Sequence, residues 1–371
     1  MNFTFSDDQT LFQSTVRDFL AKECTPEVVR ALWDDDRGHS PALWAKLAEL
    51  GIPGLLVPEA HGGMGLDEVD AVLLFEEVGR AALCEPVVAT AAVAAPLLVE
   101  LGRLGSDERA GRWLERIAAG EAIAAVGHAL SPFVTDAAAA DVLLLPDGDE
   151  LHILEPGAVE LTHQPGNDPG RRLYTASWTP AGATRVAEGD AGRALQAAAL
   201  DRGALACASG QLGVADRLIE MASAHACQRE QFGVPIGSFQ AVKHMLATAK
   251  VKLEYARPAV HRAAHAVAAD SRGRSVTVSM AKVMACDAAA LAARTALQVH
   301  GAIGYTWEQD LHIWMRRAWS LEMAWGRNDF HRRRVGDAIL SEGARLGPGE
   351  TFSNHGFSTD LSVASRDEAG D

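Results

Sequence analysis

The stretch Arg229-Glu-Gln-Phe-Gly-Val-Pro-Ile-Gly-Ser-Phe-Gln-Ala-Val-Lys-His244, REQFGVPIGSFQAVKH, lies between two long runs of Ala, Leu and Val at helical spacing. It therefore reads as a short link between two helices, yet it carries an arginine, two phenylalanines and two glutamines that a plain connector does not need. Arg229 and Phe232 stand three residues apart, one helical turn, so a cation and an aromatic ring face the same way before a turn at Gly233 and Pro235. Ser238 is then the expected N-cap of the following helix, whose first turn carries Phe239 and Gln240 and whose free amides can face an anion. A guanidinium beside such amides suits a pyrophosphate. The plainer alternative is a hairpin with a capping serine and two buried phenylalanines.

Outward from this link, apolar residues recur at helical spacing from Ala191 to about Arg229, from Phe239 to about Ala269, from Val276 to His300, and from Glu308 to about Leu346. Four long helices with short connections predict an up-down bundle over 191–347. Between the third and fourth helices lies QVHGAIGYTWEQDLHIWMRRA, residues 298–318. There Gly301 and Gly304 leave a backbone open to close approach, and Gln298 precedes them by about one turn. No strand precedes this segment and no lysine sits in it, so it is neither a Rossmann nor a P-loop signature.

Upstream the texture differs. Residues 1–120 read as a helical domain: SDDQTLFQSTVRDFLAKE opens on the N-cap Ser6, PALWAKLAELG closes on Gly51, and the alanine-rich stretch from Val87 to Leu101 is apolar all round, as a buried helix is. Residues 121–190 carry short segments of strand type separated by Asp-Gly and Pro-Gly, which predict a small β domain with a hairpin turn at DGDE, residues 147–150. Residues 348–371 are polar and aperiodic, the pattern of a disordered tail. The fold class is thus mainly α with a small β domain.

Composition narrows the function. A net charge of −15 over 371 residues argues against nucleic acid or an anionic membrane as a partner. The five cysteines lack CxxC spacing and read as reduced packing residues, with no zinc site. His261 and His265 stand at i, i+4, a metal-compatible spacing without a third ligand nearby, so no metal is expected. No signal-peptide pattern opens the chain, and a cytoplasmic location is expected.

Over residues 3–345 the chain resembles the acyl-CoA dehydrogenases, flavoproteins that desaturate acyl-CoA thioesters. The resemblance rests on FTFSDDQTLFQSTVRDFLAKE, on LWAKLAELGIPGLLVPEAHGGMGLDE, on REQFGVPIGSFQ against the family's RxxFGxPIxxFQ, and on QVHGAIGY against QxxGGxGY. It implies a helical domain, a β domain and a C-terminal four-helix bundle, and FAD as cofactor. It also implies that Arg229, Gln231, Phe232, Phe239 and Gln240 reach the FAD of a neighbouring subunit, and that Gln298, Gly301 and Gly304 line the adenosine half of an FAD. A cofactor gripped by two subunits implies a homo- or hetero-tetramer, with an acyl-CoA as substrate and an electron-transfer flavoprotein as acceptor.

The pattern fails at the chemistry. In the family a glutamate removes the α-proton while the β-hydrogen leaves as hydride. In the commonest branch that glutamate belongs to YEGT, and RRAWSLEMAWGRND places Trp325 there. In a second branch it lies on the first bundle helix, where LQAAALDRGALACASGQLG offers Gly203 or Ala204. Asp201 and Glu322 are the nearest alternative carboxylates, and helix-surface charge is the plain reading of both. The family's EPxxGSD loop and its Trp-Thr strand are also missing. Intact clamp motifs beside these losses resemble the short subunits of actinobacterial heterotetrameric acyl-CoA dehydrogenases that act on steroid CoA thioesters. The expectation is an accessory subunit, with a self-sufficient homotetramer or a catalytically silent flavin-binding partner as alternatives.

Overall fold

The computed structural model describes residues 4–344 apart from 36, 106, 107 and 343. The expected tail lies outside the described residues.

Six helices open the chain: α1 (Asp7–Glu23), α2 (Pro26–Asp34), α3 (Pro41–Glu49), α4 (Glu68–Arg80), α5 (Ala95–Arg103) and α6 (Arg109–Ala118). Ser6 begins α1 through a capping box, its Oγ accepting from the Gln9 amide while Gln9 Oε1 accepts from the Ser6 amide. Gly51 ends α3 at φ +76, as the sequence predicts. The alanine-rich stretch is buried as expected, but Val88–Ala94 winds as a π-helix before α5 begins. Pro96 has no amide to donate, and a wider turn just before it accommodates that loss.

Seven strands follow: β1 (Ala124–Val126), β2 (Val134–Thr135), β3 (Val142–Asp147), β4 (Glu150–Leu154), β5 (Glu160–Gln164), β6 (Leu173–Ser177) and β7 (Arg185–Ala187). They form one sheet in the order β1-β3-β4-β7 and another in the order β2-β6-β5. The hairpin at DGDE is present, with Asp147 opposite Glu150. The pairing of β1 with β3 is parallel and joins segments that no turn signal connects. Their side chains are buried, which gives the sheet its place against the helices.

The bundle is built from α7 (Gly189–Gln228), the hairpin strands β8 (Glu230–Gln231) and β9 (Val234–Pro235), α8 (Gln240–Ala268), α9 (Arg274–His300), α10 (Leu311–Met323) and α11 (Asn328–Leu340). Its inner faces are paved with small side chains, among them Ala285, Ala288, Ala289, Ala292, Ala293 and Ala296 on α9. Where α4 crosses α7 the backbones nearly touch, since a Cβ on Gly213 would lie 1.8 Å from the Glu76 carbonyl oxygen. The segment Arg274–Tyr305 is apolar and long enough to cross a membrane, but 61% of its apolar window is buried inside the bundle. The expected single fourth helix is broken: α10 ends at Met323 and α11 starts at Asn328. Trp325 at φ +53 and Gly326 at φ +92 make that break, because neither conformation continues a right-handed helix.

Candidate cofactor clamp and inner cavity

The link at 229–240 is a tight hairpin between the C-terminus of α7 and the N-terminus of α8. Gln231 pairs with Val234, and the two residues between them, Phe232 and Gly233, both have positive φ, the geometry of a two-residue hairpin turn. Arg229 and Phe232 therefore do not share a helical face; Arg229 caps α7 in extended conformation and Phe232 rides the turn. Phe232 is 93% exposed and meets Phe239 edge to face, so neither ring is buried by this chain. An exposed phenylalanine in a left-handed conformation is costly unless something covers it.

Ser238 is not the N-cap. It sits in a short 3-10 turn and donates to the Pro235 carbonyl at 2.7 Å, while Phe239 occupies the cap position without a side-chain hydrogen bond. The first amides of α8 are thereby left open, which suits an anion better than the expected serine cap would. Arg229, Lys243 and Arg294 have no ion-pair partner among the described residues. Gln298, exposed on α9, lines an open groove with His244, Met245, Thr248, Leu291, Arg294 and Thr295. Gly301 closes α9 at φ +65, with open space where a side chain would be. The stacking of His225 on His300 shows that α7 and α9 end on the same face of the bundle. Free cations, uncapped amides, side-chain-free backbone and two uncovered rings in one place fit the diphosphate and adenosine of an FAD.

A second feature lies further along the bundle. The Trp325 indole rests on α7 at Gly203: a Cβ there would meet three of its ring carbons at 2.1, 2.4 and 2.6 Å. The two positions where the sequence comparison puts the family's base thus face one shared volume, and one indole fills it. The indole is held from behind. Buried His331 bridges the Trp325 carbonyl (Nε2, 2.9 Å) and Ser279 Oγ (Nδ1, 3.0 Å), and leaves no room for a Cβ on Gly326. Buried Lys282 donates to the Leu321 carbonyl at 2.8 Å, placing a cation at the negative end of α10 just before the break.

Trp325 separates two cavities. The inner one, of about 70 Å³, lies between α4, α7 and the β1–β2 region and is lined by Phe75, Val78, Ala206, Cys207, Asp136 and Arg171 among others. The outer one, about 510 Å³ and mostly apolar, is walled by Leu130, Phe133, Trp319, Met323 and Trp325, with His128, Asp168 and Arg171 among its polar members. The loop before β6 fixes both. Arg317 pairs with Asp168 at 2.5 Å and donates to the Leu83 carbonyl, while Arg171 donates to Ser320 Oγ and its carbonyl.

Neither weighed carboxylate lines either cavity. Asp201 is buried and accepts from Ser275 Oγ (2.6 Å) and Arg334 Nη1 (3.0 Å), with Arg274 at 3.6 Å. That is a strut tying α7 to α9 and α11. Glu322 is absent from the wall that its neighbours Trp319, Ser320, Met323 and Ala324 form. Of the inner cavity's carboxylates, Glu85 is held by His39 and the Ser40 amide. Asp136 is the one that sequence reasoning missed. Burial pushes its carboxyl up to about 7, against the opposing pull of Arg171. The signal that could have found it is the dipeptide Thr135-Asp136, a hydroxyl and a carboxylate like the Ser-Asp ending the family's EPxxGSD loop.

Among the described residues no group of three His, Cys, Asp or Glu is arranged to hold a metal ion. His261 packs edge-on against Phe5.

Family models described as the acyl-CoA dehydrogenase N-terminal and C-terminal domains match residues 6–121 and 190–340. Acyl-CoA dehydrogenase IpdE2 of Mycolicibacterium smegmatis is 35% identical over 315 residues, covering 84% of this chain and 93% of its own. Acyl-CoA dehydrogenase FadE34 of Mycobacterium tuberculosis is 31% identical over 366 residues, covering 92% of this chain, which spans 49% of that relative. Among solved structures, the ChsE4-ChsE5 complex from Mycobacterium tuberculosis gives a TM-score of 0.80 at 26% identity, covering 93% of this chain and 100% of that one. Butyryl-CoA dehydrogenase from Megasphaera elsdenii shares the fold with a TM-score of 0.81 at 24% identity, covering 92% and 100%. On these matches the chain belongs to the acyl-CoA dehydrogenase family, FAD-dependent oxidoreductases that act on acyl-CoA thioesters.

Proposed function

We propose that this chain is the accessory subunit of a hetero-oligomer that desaturates a bulky, steroid-like acyl-CoA between its α and β carbons. One observation carries the reading: the Trp325 indole lies on Gly203 and fills the volume that either form of the family's base would need. A base must reach the α-proton at hydrogen-bond distance, and an indole in its place offers no proton acceptor. The inner cavity behind it, about 70 Å³, is too small for an extended acyl chain.

The chain's contribution is then the clamp. Arg229 and the open amides of α8 hold the pyrophosphate of an FAD seated mainly in the partner subunit. Phe232 and Phe239 cover its adenosine half, and Gln298 lines the groove with the bare backbone of Gly301 three residues on, while Gly304 is buried against His300 and Leu297 and does not reach it. Bound FAD supplies the oxidant for removal of two hydrogens from the acyl group, and an electron-transfer flavoprotein is the expected acceptor. Support for a two-chain assembly comes from a neighbouring structure that is itself a complex named for two chains, and from a relative about twice as long as this chain.

The test is the visible spectrum and native mass of the chain purified with FAD, alone and co-expressed with a longer family member. The reading requires a flavin-poor chain that does not bleach with acyl-CoA alone, and a yellow, active assembly with the partner. A yellow homotetramer that turns over acyl-CoA by itself would sink it.

One observation favours a second reading, self-sufficient catalysis with a displaced base: Asp136 lines the same inner cavity as Trp325, and burial pushes its carboxyl up to about 7. If the chain alone is active, Asp136→Asn abolishes turnover under this reading and leaves it unchanged under any other.

A further inference from the structure

The floor of the clamp holds two histidines that the proposed function does not use. His225 and His300 stack with ring centroids 4.3 Å apart and planes 22° from parallel. His225 lies one turn before Arg229 on α7, and His300 lies two residues after Gln298, directly before Gly301. His300 is buried, and its Nδ1 lies 2.7 Å from the Ala296 carbonyl oxygen. A ring nitrogen facing a carbonyl can only donate, so Nδ1 carries the hydrogen and Nε2 is the nitrogen left to accept a second proton.

Burial holds His225 below its ordinary value, and the His300 ring and Arg229 act in the same direction. Around the pair, Arg229 stands on α7, Arg294 and Gln298 on α9, and Lys243 and His244 on the first turn of α8, while the nearest carboxylate in sequence, Glu230, is exposed. Among the described residues that line the groove, the titratable side chains, His244 and Arg294, are both basic. Two imidazoles stacked this closely can hold one added proton, since a second would face a like charge at 4.3 Å.

We propose that the His225–His300 pair is a proton-accepting part of the diphosphate site, so that seating a nucleotide diphosphate on Arg229 and the first turn of α8 draws a fraction of a proton from solvent. The anion reverses the sign of the local field, and an opposite charge within about 4–6 Å raises an imidazole by on the order of one pKa unit. By linkage the affinity for the diphosphate rises as pH falls through the bound-state value, and the gain approaches about tenfold only below the depressed free-chain value. This rests on the clamp reading of the proposed function.

The experiment is calorimetric titration of the full chain with ADP at pH 7, in two buffers of different ionisation enthalpy. A buffer-dependent heat corresponding to uptake of up to about half a proton per ADP is expected, and His225→Phe, or His225→Asn if the first variant folds poorly, removes the uptake while ADP still binds. ADP binding with the same heat in both buffers overturns the inference and leaves the clamp standing. Uptake that persists in His225→Phe and in His300→Phe also overturns it, because the proton then goes elsewhere. No binding of ADP at millimolar concentration removes the clamp reading and the inference with it.

Discussion

Gly203→Ala places a methyl carbon 2.1 to 2.6 Å from three carbons of the Trp325 indole. Ordinary contact between such atoms is about 3.5–4.0 Å, so the ring must retreat by on the order of 1–1.5 Å. It has little freedom to do so, because Trp325 and Gly326 hold a left-handed break fixed by the His331 hydrogen bond to the Trp325 carbonyl. Overpacking of this kind costs about 1–3 kcal/mol. Against it stands the gain of replacing a glycine inside α7 with the best helix former, about 0.8–1 kcal/mol. The net expectation is a destabilised Gly203→Ala chain. In a Trp325→Ala background the clash is gone and only the helix term remains, so the same substitution becomes stabilising. The coupling between the two sites is therefore about 1–3 kcal/mol, with a change of sign. Urea unfolding of the wild type, both single variants and the double variant measures it directly. If Gly203→Ala has the same effect in both backgrounds, the indole does not lie on α7, and the argument that Trp325 fills the base position fails with it.

Four further outcomes follow from the same geometry. Asp201→Asn strands Arg334 and Arg274 beside a buried amide and lowers stability by about 2–4 kcal/mol, while turnover of the reconstituted assembly stays unchanged; lost turnover at unchanged stability would make Asp201 the base after all. Arg317→Met leaves Asp168 buried and unpaired, and thermal unfolding is expected to show a loss of about 3–5 kcal/mol. Arg229→Gln leaves stability untouched because the side chain is exposed, but removes a charge-assisted contact worth about 1.5–3 kcal/mol, so FAD retention in the assembly weakens by about ten- to hundredfold. Burial holds His331 and His261 down to about 4 from 6.5. The unfolded chain binds protons at these sites before the folded one does, so stability is full above pH 6.5 and falls as the pH drops toward about 4. Each site contributes on the order of 3 kcal/mol to that loss, and His331→Asn should flatten the decline of the urea midpoint.

Local signals carried the helical parts well. Ser6 with Gln9, Gly51 after α3, and the alanine spacing of α7 to α9 each act within one or two turns of chain, and the structure keeps them. The clamp was legible by composition but not by geometry. Three residues is one helical turn, which makes Arg229 and Phe232 helix neighbours by spacing alone, whereas β8 and β9 pair to make a hairpin, and Ser238 bonds backward to Pro235 instead of capping α8. A two-residue turn normally advertises itself with Asn-Gly or Asp-Gly, and Phe-Gly hides it.

By itself the sequence determined the family, the succession of helical domain, β domain and helical bundle, and the loss of a carboxylate at position 325, because identity and short-range spacing are written residue by residue. Only the tertiary structure decided what replaces that carboxylate. Gly203 and Trp325 are 122 positions apart, and nothing local says that an indole from the break between α10 and α11 lies flat on α7. The same is true of Asp201, which became a strut once Ser275 and Arg334 arrived from two other helices, of Asp136, which lines the inner cavity with residues of α4, α7 and α10, and of the stacked pair of His225 and His300. A side chain's chemistry is set by what surrounds it, and those surroundings are assembled from distant parts of the chain.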